Sequence, residues 1–227
     1  MVKPEPIKIF KTSWDGFKQN WIFWTIIGVI FTLIKLPIEG ISKEEFNSNM
    51  MLGPLFGVSM TVFALNALVM PFIYGPALLT AEKKDVNQEF FKRTIIVYLK
   101  LIGYGLIYMI MVTIGLIALI FPGVYLGARY SMGFYFIYNN PKIGFFDAFT
   151  KSSQITEGKT LSIFTSWFFV GLIANIFSSI IIEAAVLITG FSLAQTIQYL
   201  IEVVASTVSN SFPAIAAAAI YLQIKKK

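Results

Sequence analysis

Residues 142–159 read KIGFFDAFTKSSQITEGK, a segment with three lysines set between the apolar runs 122–138 and 161–188. Its charge decides how the chain is threaded, because loops rich in Lys and Arg are costly to translocate and stay on the cytoplasmic side of a bilayer. The same pattern recurs on both sides of it. Fourteen of the eighteen Lys and Arg fall in four places: Lys3, Lys8, Lys11 and Lys18; Lys83, Lys84, Lys92 and Arg93; Lys142, Lys151 and Lys159; and Lys225, Lys226 and Lys227. The gaps between these clusters hold almost none, and the one containing Glu39, Lys43, Glu44 and Glu45 is acidic on balance.

The rest of the composition agrees with a membrane chain. Of the 227 residues 56% are hydrophobic, 16% aromatic and only 13% charged, against roughly 25% charged in ordinary globular domains. No polar stretch is long enough to bury a core of its own, so residues 1–227 read as a single integral membrane domain. The net charge of +6 sits in short collars beside apolar runs. Such collars face anionic lipid headgroups rather than nucleic acid. About twenty mostly polar residues precede the first apolar run and no A-x-A-like site follows it. That run is therefore expected to be an uncleaved span rather than a signal peptide.

A helix needs about twenty residues to cross the hydrocarbon core. Apolar runs at about 21–38, 51–80, 97–121, 122–138, 161–188 and 195–224 supply six spans, which put all four basic clusters and both termini on the cytoplasmic side. Trp21 and Trp24 open the first run and Pro37 closes it, while Pro71 and Pro76 are expected to kink the second. Phe121-Pro122-Gly123 either kinks one very long helix or turns between two. A single helix over 97–139 would be roughly 65 Å long, about twice a bilayer, so the chain is broken there, with Pro122 in the first turn of the next helix. The fold class is thus an all-α membrane protein, a bundle of six transmembrane helices in hairpins with short cytoplasmic amphipathic helices. These interfacial segments are expected at about 5–18, 87–94 and 144–157. In the last, Phe145, Phe149, Ser152 and Ile155 share a face, Asp147 suits the first turn and Gly158 the C-terminal cap. Pro71-x-x-Tyr74-x-x-Ala77 recurs as Pro122-x-x-Tyr125-x-x-Ala128, which is either a tandem-hairpin echo or chance.

Ionisable residues at membrane depth are rare and need partners. Lys35, Arg129, Glu183 and Glu202 lie in the outer halves of their spans, with charges that cancel. Two ion pairs are the simplest expectation, with Arg129 the first counter-charge for the glutamates and Lys35 the second, or Lys35 snorkelling alone. Gln198, Glu202, Ser206 and Asn210 form a stripe at steps of four along the last span. Gly171, Asn175, Ser179 and Glu183 do the same along the fifth. Such stripes are expected to face the bundle interior or each other, either gluing helices together or lining a water-filled crevice. Gly123, Gly127 and Ser131, with Gly53 and Gly57, read as close helix contacts.

The chain has no Cys and no His. It therefore has no disulfide, thiolate metal site, Ser–His dyad or His-ligated zinc. Its only aspartates are Asp15, Asp85 and Asp147, and no GxxxxGK[ST] phosphate loop occurs. No catalytic, cofactor or metal residue is expected.

Gly115-x5-Phe121-Pro-Gly-Val-Tyr-Leu-Gly-Ala-Arg-Tyr130, followed by Asp147-Ala-Phe-Thr-Lys-Ser-Ser-Gln-Ile-Thr-Glu-Gly158, resembles a poorly characterised group of prokaryotic multi-pass membrane proteins. That group includes the membrane domain fused to some glycerophosphodiester phosphodiesterases. Its Pro-Gly-x-Tyr turn and Ala-x3-Ser-x3-Thr-x-Gly segment are matched by Pro122, Gly123 and Tyr125, and by Ala148, Ser152, Thr156 and Gly158. The resemblance covers about a quarter of the chain, brings no catalytic residue and does not extend to the soluble phosphodiesterase. It implies a six-helix domain of the cytoplasmic membrane that supports or regulates other proteins. The expected function is a non-enzymatic scaffold, assembly or regulatory subunit, with a membrane-protein partner or a second copy beside it. The alternative is a small transporter or channel subunit using the polar crevice.

Overall fold

The computed structural model describes residues 4–45, 65, 68–86, 88–189 and 195–225, with the side chains of 35–45, 88–89, 185–189 and 195–199 outside that description. The described residues are helical and include no strand. They form α1 (Pro6–Gln19), α2 (Trp21–Glu45), α3 (Pro71–Ala81), α4 (Gln88–Ala118), α5 (Ile120–Tyr130), α6 (Gly133–Asn139), α7 (Phe145–Thr156), α8 (Thr160–Thr189) and α9 (Gln195–Lys225). Three of these helices contain stretches long and apolar enough to cross a membrane: Phe90–Ala118, Thr160–Ala184 and Leu200–Lys225.

α9 is the centre. It packs against α8, α2, α3 and α1, which its sequence permits because Ala214, Ala216, Ala217, Ala218 and Ala219 keep its surface low and let several backbones approach. α4 and α8, by contrast, leave most of their apolar surface uncovered, as lipid-facing helices do.

α1 meets the first part of α2 at 92°. Ile9, Ser13 and Gly16 form its buried face, and Phe10, Trp14 and Phe17 surround Phe212 of α9 at ring separations of 6.1, 5.8 and 5.2 Å. Asn20 holds the elbow. Its backbone N–H caps α1 on the Gly16 and Phe17 carbonyls. Its side-chain amide donates to the Lys84 carbonyl (3.2 Å) and accepts from the Val86 N–H (3.1 Å). α2 then runs through Pro37 to Glu45, so the proline does not close the first span where the sequence suggested.

Three other boundaries differ from expectation. The segment 87–94 is not a separate interfacial helix: α4 is continuous from Gln88, because no Gly or Pro separates residues 88–94 from the apolar run that follows and Phe90 is already buried there. The break after the third span falls at Leu119, which is extended with φ −166°. The Phe121-Pro122-Gly123 element is thus the first turn of α5 rather than a kink, and Gly123 lies against Gly115 and Leu116 across the hairpin. The fourth span, expected as one helix over 122–138, is broken at Ser131–Met132 into α5 and α6. Of the second span, residues 51–64, 66 and 67, with Gly53 and Gly57, lie outside the described residues. Its remainder, α3, is almost wholly buried despite Pro76 inside it.

Candidate functional site

The break between α5 and α6 creates a dense polar constellation among the described residues. A helix end leaves its last four carbonyls short of intrahelical partners, and where such groups are buried they need other donors. Every one of the four in α5 has a side-chain donor. The Tyr108 hydroxyl donates to Gly127 O (3.0 Å) and Ser131 Oγ to Ala128 O (3.0 Å). Ser152 Oγ donates to Arg129 O (2.8 Å), and the Thr156 hydroxyl lies 3.0 Å from that same oxygen and 2.8 Å from the Ser152 carbonyl. The Tyr104 hydroxyl donates to Tyr130 O (2.6 Å).

This arrangement explains why α7 sits where it does. Its buried face is Ala148, Phe149, Ser152 and Thr156, one step round from the expected Phe145, Phe149, Ser152 and Ile155 face. Hydroxyl-to-carbonyl bonds to α5, not apolar area alone, set its rotation. Phe149 stacks on Tyr104 (ring centroids 4.1 Å) and meets Tyr130 edge-on (5.4 Å). Gly158, with φ 69°, ends the segment in the left-handed conformation glycine favours. The Ala148, Ser152, Thr156 and Gly158 spacing is therefore a docking pattern: a small residue for close approach, two donors, and a turn.

Arg129 belongs to this junction. Its Nε donates to Ser153 Oγ (2.9 Å), its Nη1 to the Tyr125 hydroxyl, and its guanidinium lies 5.5 Å from the Tyr125 ring. The expected pairing of Arg129 with the glutamates is thus replaced by neutral hydrogen bonds to α5 and α7. The large penalty for stranding one charge of a buried ion pair does not apply to it.

The fifth-span stripe is also rotated. The face of α8 turned inward is Ser166, Val170, Ala174 and Ser178, and Ser178 Oγ lies 2.9 Å from the Ala174 carbonyl and 3.0 Å from Ala205 O on α9. Asn175, Ser179 and Glu183, expected inside, are exposed and line a shallow open groove on the outer face of α8 with Ile176 and Ile180. The physical reason is size. Val, Ala and Ser admit the α9 backbone at close range, whereas a carboxylate facing inward needs a buried counter-charge. Asn175 satisfies its amide on the Gly171 carbonyl of its own helix (2.8 Å). On α9 the expectation fares better: Ser206 is buried, Glu202 and Asn210 are half-buried, and Asn210 donates to Ser206 O (2.7 Å). The side chains of Lys35 and Gln198 lie outside the described residues.

Between α4, α5, α8 and α9 lies an apolar cavity of about 220 Å³, lined by Val112, Met132, Ile163 and Trp167 among others. An engineered apolar cavity of about 150 Å³ holds a benzene ring. No charged side chain reaches this one, and the Tyr108 hydroxyl at its wall is already bound to Gly127 O. It offers neither acid–base groups nor an ion path. Among the described residues no group of acidic side chains has the geometry to hold a metal ion.

Sequence reasoning missed Tyr104, Tyr108 and Ser153. A tyrosine in an apolar run carries no mark that its hydroxyl is spent on a carbonyl 19 or 26 residues further on. No family model, curated protein or solved structure matches this chain.

Proposed function

We propose that this chain is a non-enzymatic multi-pass protein of a prokaryotic cytoplasmic membrane that scaffolds, assembles or regulates a partner membrane protein through the outer face of α8. The observation that carries this reading is the exposed row of Asn175, Ser179 and Glu183 on a helix whose other exposed residues are mostly large and apolar, among them Trp167, Phe168, Leu172, Ile176 and Ile180. Polar and ionisable side chains at membrane depth do not face lipid, so a second protein surface belongs on that row.

In this reading α2, the run 51–80, α4, the α5–α6 pair, α8 and α9 are six crossings, and α1 and α7 lie on the cytoplasmic side with the basic clusters. The broken fourth crossing is tolerable because the carbonyls it frees are capped from α4, from α7 and by Ser131 at the break itself. The group of multi-pass proteins that the Pro122 to Gly158 segment resembles fits the same architecture. The absence of His and Cys from the sequence leaves little chemistry for an enzyme. A transport path through Arg129, Glu183 and Glu202 has no support from the geometry, since Arg129 is engaged at the α5–α7 junction and Glu183 stands on the open face of α8.

The natural chain has no cysteine, so one thiol can be introduced cleanly. A photocrosslinker on Ser179→Cys, activated in native membranes, is expected to join the protein to another polypeptide, whereas one on Ser178→Cys, facing α9, is expected to join it to itself. Crosslinks from Ser179→Cys only to lipid, or only within the same chain, overturn the docking reading.

A further inference from the structure

The turn between α3 and α4 carries a second feature that the docking reading does not use. Its backbone is a Schellman cap: the Lys83 N–H bonds the Thr80 carbonyl (3.0 Å) and the Lys84 N–H the Leu79 carbonyl (2.9 Å). The residue at the left-handed position of such a cap is usually glycine, because a side chain there is strained. Here it is Lys83, with φ 59°, the only non-glycine residue at positive φ among those described. The turn is pinned from α1 as well: Gln19 Nε2 lies 3.3 Å from the Lys83 carbonyl and 2.9 Å from Asp85 Oδ1, and Asn20 holds Lys84 and Val86. A strained lysine fixed on a rigid turn points to work for its ammonium.

Lys83 lines a pocket of about 740 Å³, whose other cationic lining residues are Lys84, Lys92 and Arg93. Lys84 is neutralised by Glu82 at 2.7 Å. Asp85, the one anion of the rim, is engaged by Gln19. Arg93 spends Nε on the Tyr138 carbonyl (3.0 Å) and Nη2 on the Asn139 carbonyl (2.8 Å), which caps α6 and leaves Nη1. Lys83, Lys92 and the rest of Arg93 therefore outnumber Asp85, the one carboxylate among the described residues that line the pocket. Its inner wall is apolar, formed by Phe90, Leu79 and Ile96. From Ile96 the surface of α4 continues as a slope of exposed apolar side chains, Ile95, Ile96 and Leu99, each more than two-thirds exposed.

A basic cup opening onto an apolar ramp matches one kind of ligand. A free anion has no use for the ramp, and a lipid tail alone has no use for the cations. We infer that the α3–α4 turn is a binding site for the phosphate of an anionic phospholipid, its headgroup among Lys83, Lys92 and Arg93 and an acyl chain along Ile96 and Leu99. This rests on the proposed membrane topology, in which the turn lies at the cytoplasmic headgroup layer, where anionic lipid is met.

The test uses the full chain in nanodiscs and in mild detergent, with native mass spectrometry counting retained phosphatidylglycerol against phosphatidylcholine. Phosphatidylglycerol is expected to be retained preferentially. Lys83→Gly with Lys92→Gln is expected to weaken that retention about thirtyfold, roughly fivefold per lysine near the surface. Lys8→Gln with Lys11→Gln, on α1, is expected to leave it unchanged. Lys83→Gly alone is expected to raise the melting temperature in lipid-free detergent, since glycine suits the left-handed position, while still weakening lipid retention. That opposition excludes misfolding as the cause. Equal retention by the double variant and the parent overturns the site. Full displacement of the lipid by millimolar inorganic phosphate overturns the lipid in favour of a soluble phosphate ligand. A chain that enters nanodiscs but does not distinguish the two lipids sinks this site alone, whereas one that fails to enter them sinks the membrane reading beneath it.

Discussion

Tyr104→Ala is expected to lower the stability of the folded bundle by about 3 to 5 kcal/mol, the range for emptying a buried aromatic site. Tyr104 is fully buried, stacks on Phe149, meets Phe134 edge-on at 4.8 Å, and lies where a side chain on Gly133 would otherwise go. Removing it opens a cavity at the α5–α6 break and withdraws the donor from the Tyr130 carbonyl together. Tyr104→Phe keeps the ring and loses only the donor, so it is expected to cost about 1 to 3 kcal/mol, the penalty of one unsatisfied buried acceptor. Denaturant titration in mixed micelles gives both values. Hydrogen exchange is expected to show Phe145–Thr156 loosening in the alanine variant, because α7 docks on Tyr104 through Phe149. If both variants match the parent in stability and exchange, the capped break is not what holds α7.

The second large effect is at Gly28, where α2 crosses α9. A Cβ built there lies 2.9 Å from the Thr207 Cα, a backbone atom that cannot step aside. Gly28→Val is expected to lose about 3 kcal/mol, the upper end of ordinary overpacking penalties, by forcing the two helices apart. Gly127 is the comparison. Its nearest neighbour to an added Cβ is the Tyr108 hydroxyl at 3.6 Å, ordinary contact, so Gly127→Ala is expected to be neutral or to gain up to about 1 kcal/mol from helix propensity. The same melting assay reads both. A stable Gly28→Val variant means that α2 does not press on α9 as described.

Much of this architecture is legible in the sequence because hydropathy and capping are local. The spans expected at 161–188 and 195–224 are α8, Thr160–Thr189, and α9, Gln195–Lys225. The amphipathic segments at 5–18 and 144–157 are α1 and α7. What is not legible depends on partners distant along the chain. The break at Ser131–Met132 carries no proline, and only Gly133 beside it hints at one; the donors that make it possible, Tyr104, Tyr108, Ser152 and Thr156, lie elsewhere. The inward face of α8 differs from the expected stripe for a related reason. Residues 170, 174 and 178 and residues 171, 175 and 179 share one spacing, and spacing alone cannot say which set faces inward. The set that faces α9 is the small one, Val170, Ala174 and Ser178, because small side chains let the two backbones come close. Lys83 gives no sequence signal either, because a left-handed cap is usually written with glycine.

The lipid site, the docking face and the capped fourth crossing all assume that the basic clusters lie together on the cytoplasmic side of six crossings. Thiol labelling of single-cysteine variants in intact cells tests that directly, on a background with no cysteine of its own. A membrane-impermeant reagent is expected to label Asn47→Cys and to leave Lys151→Cys and Lys83→Cys unlabelled until the membrane is opened. Labelling of Lys151→Cys from outside, or protection of Asn47→Cys, contradicts the account.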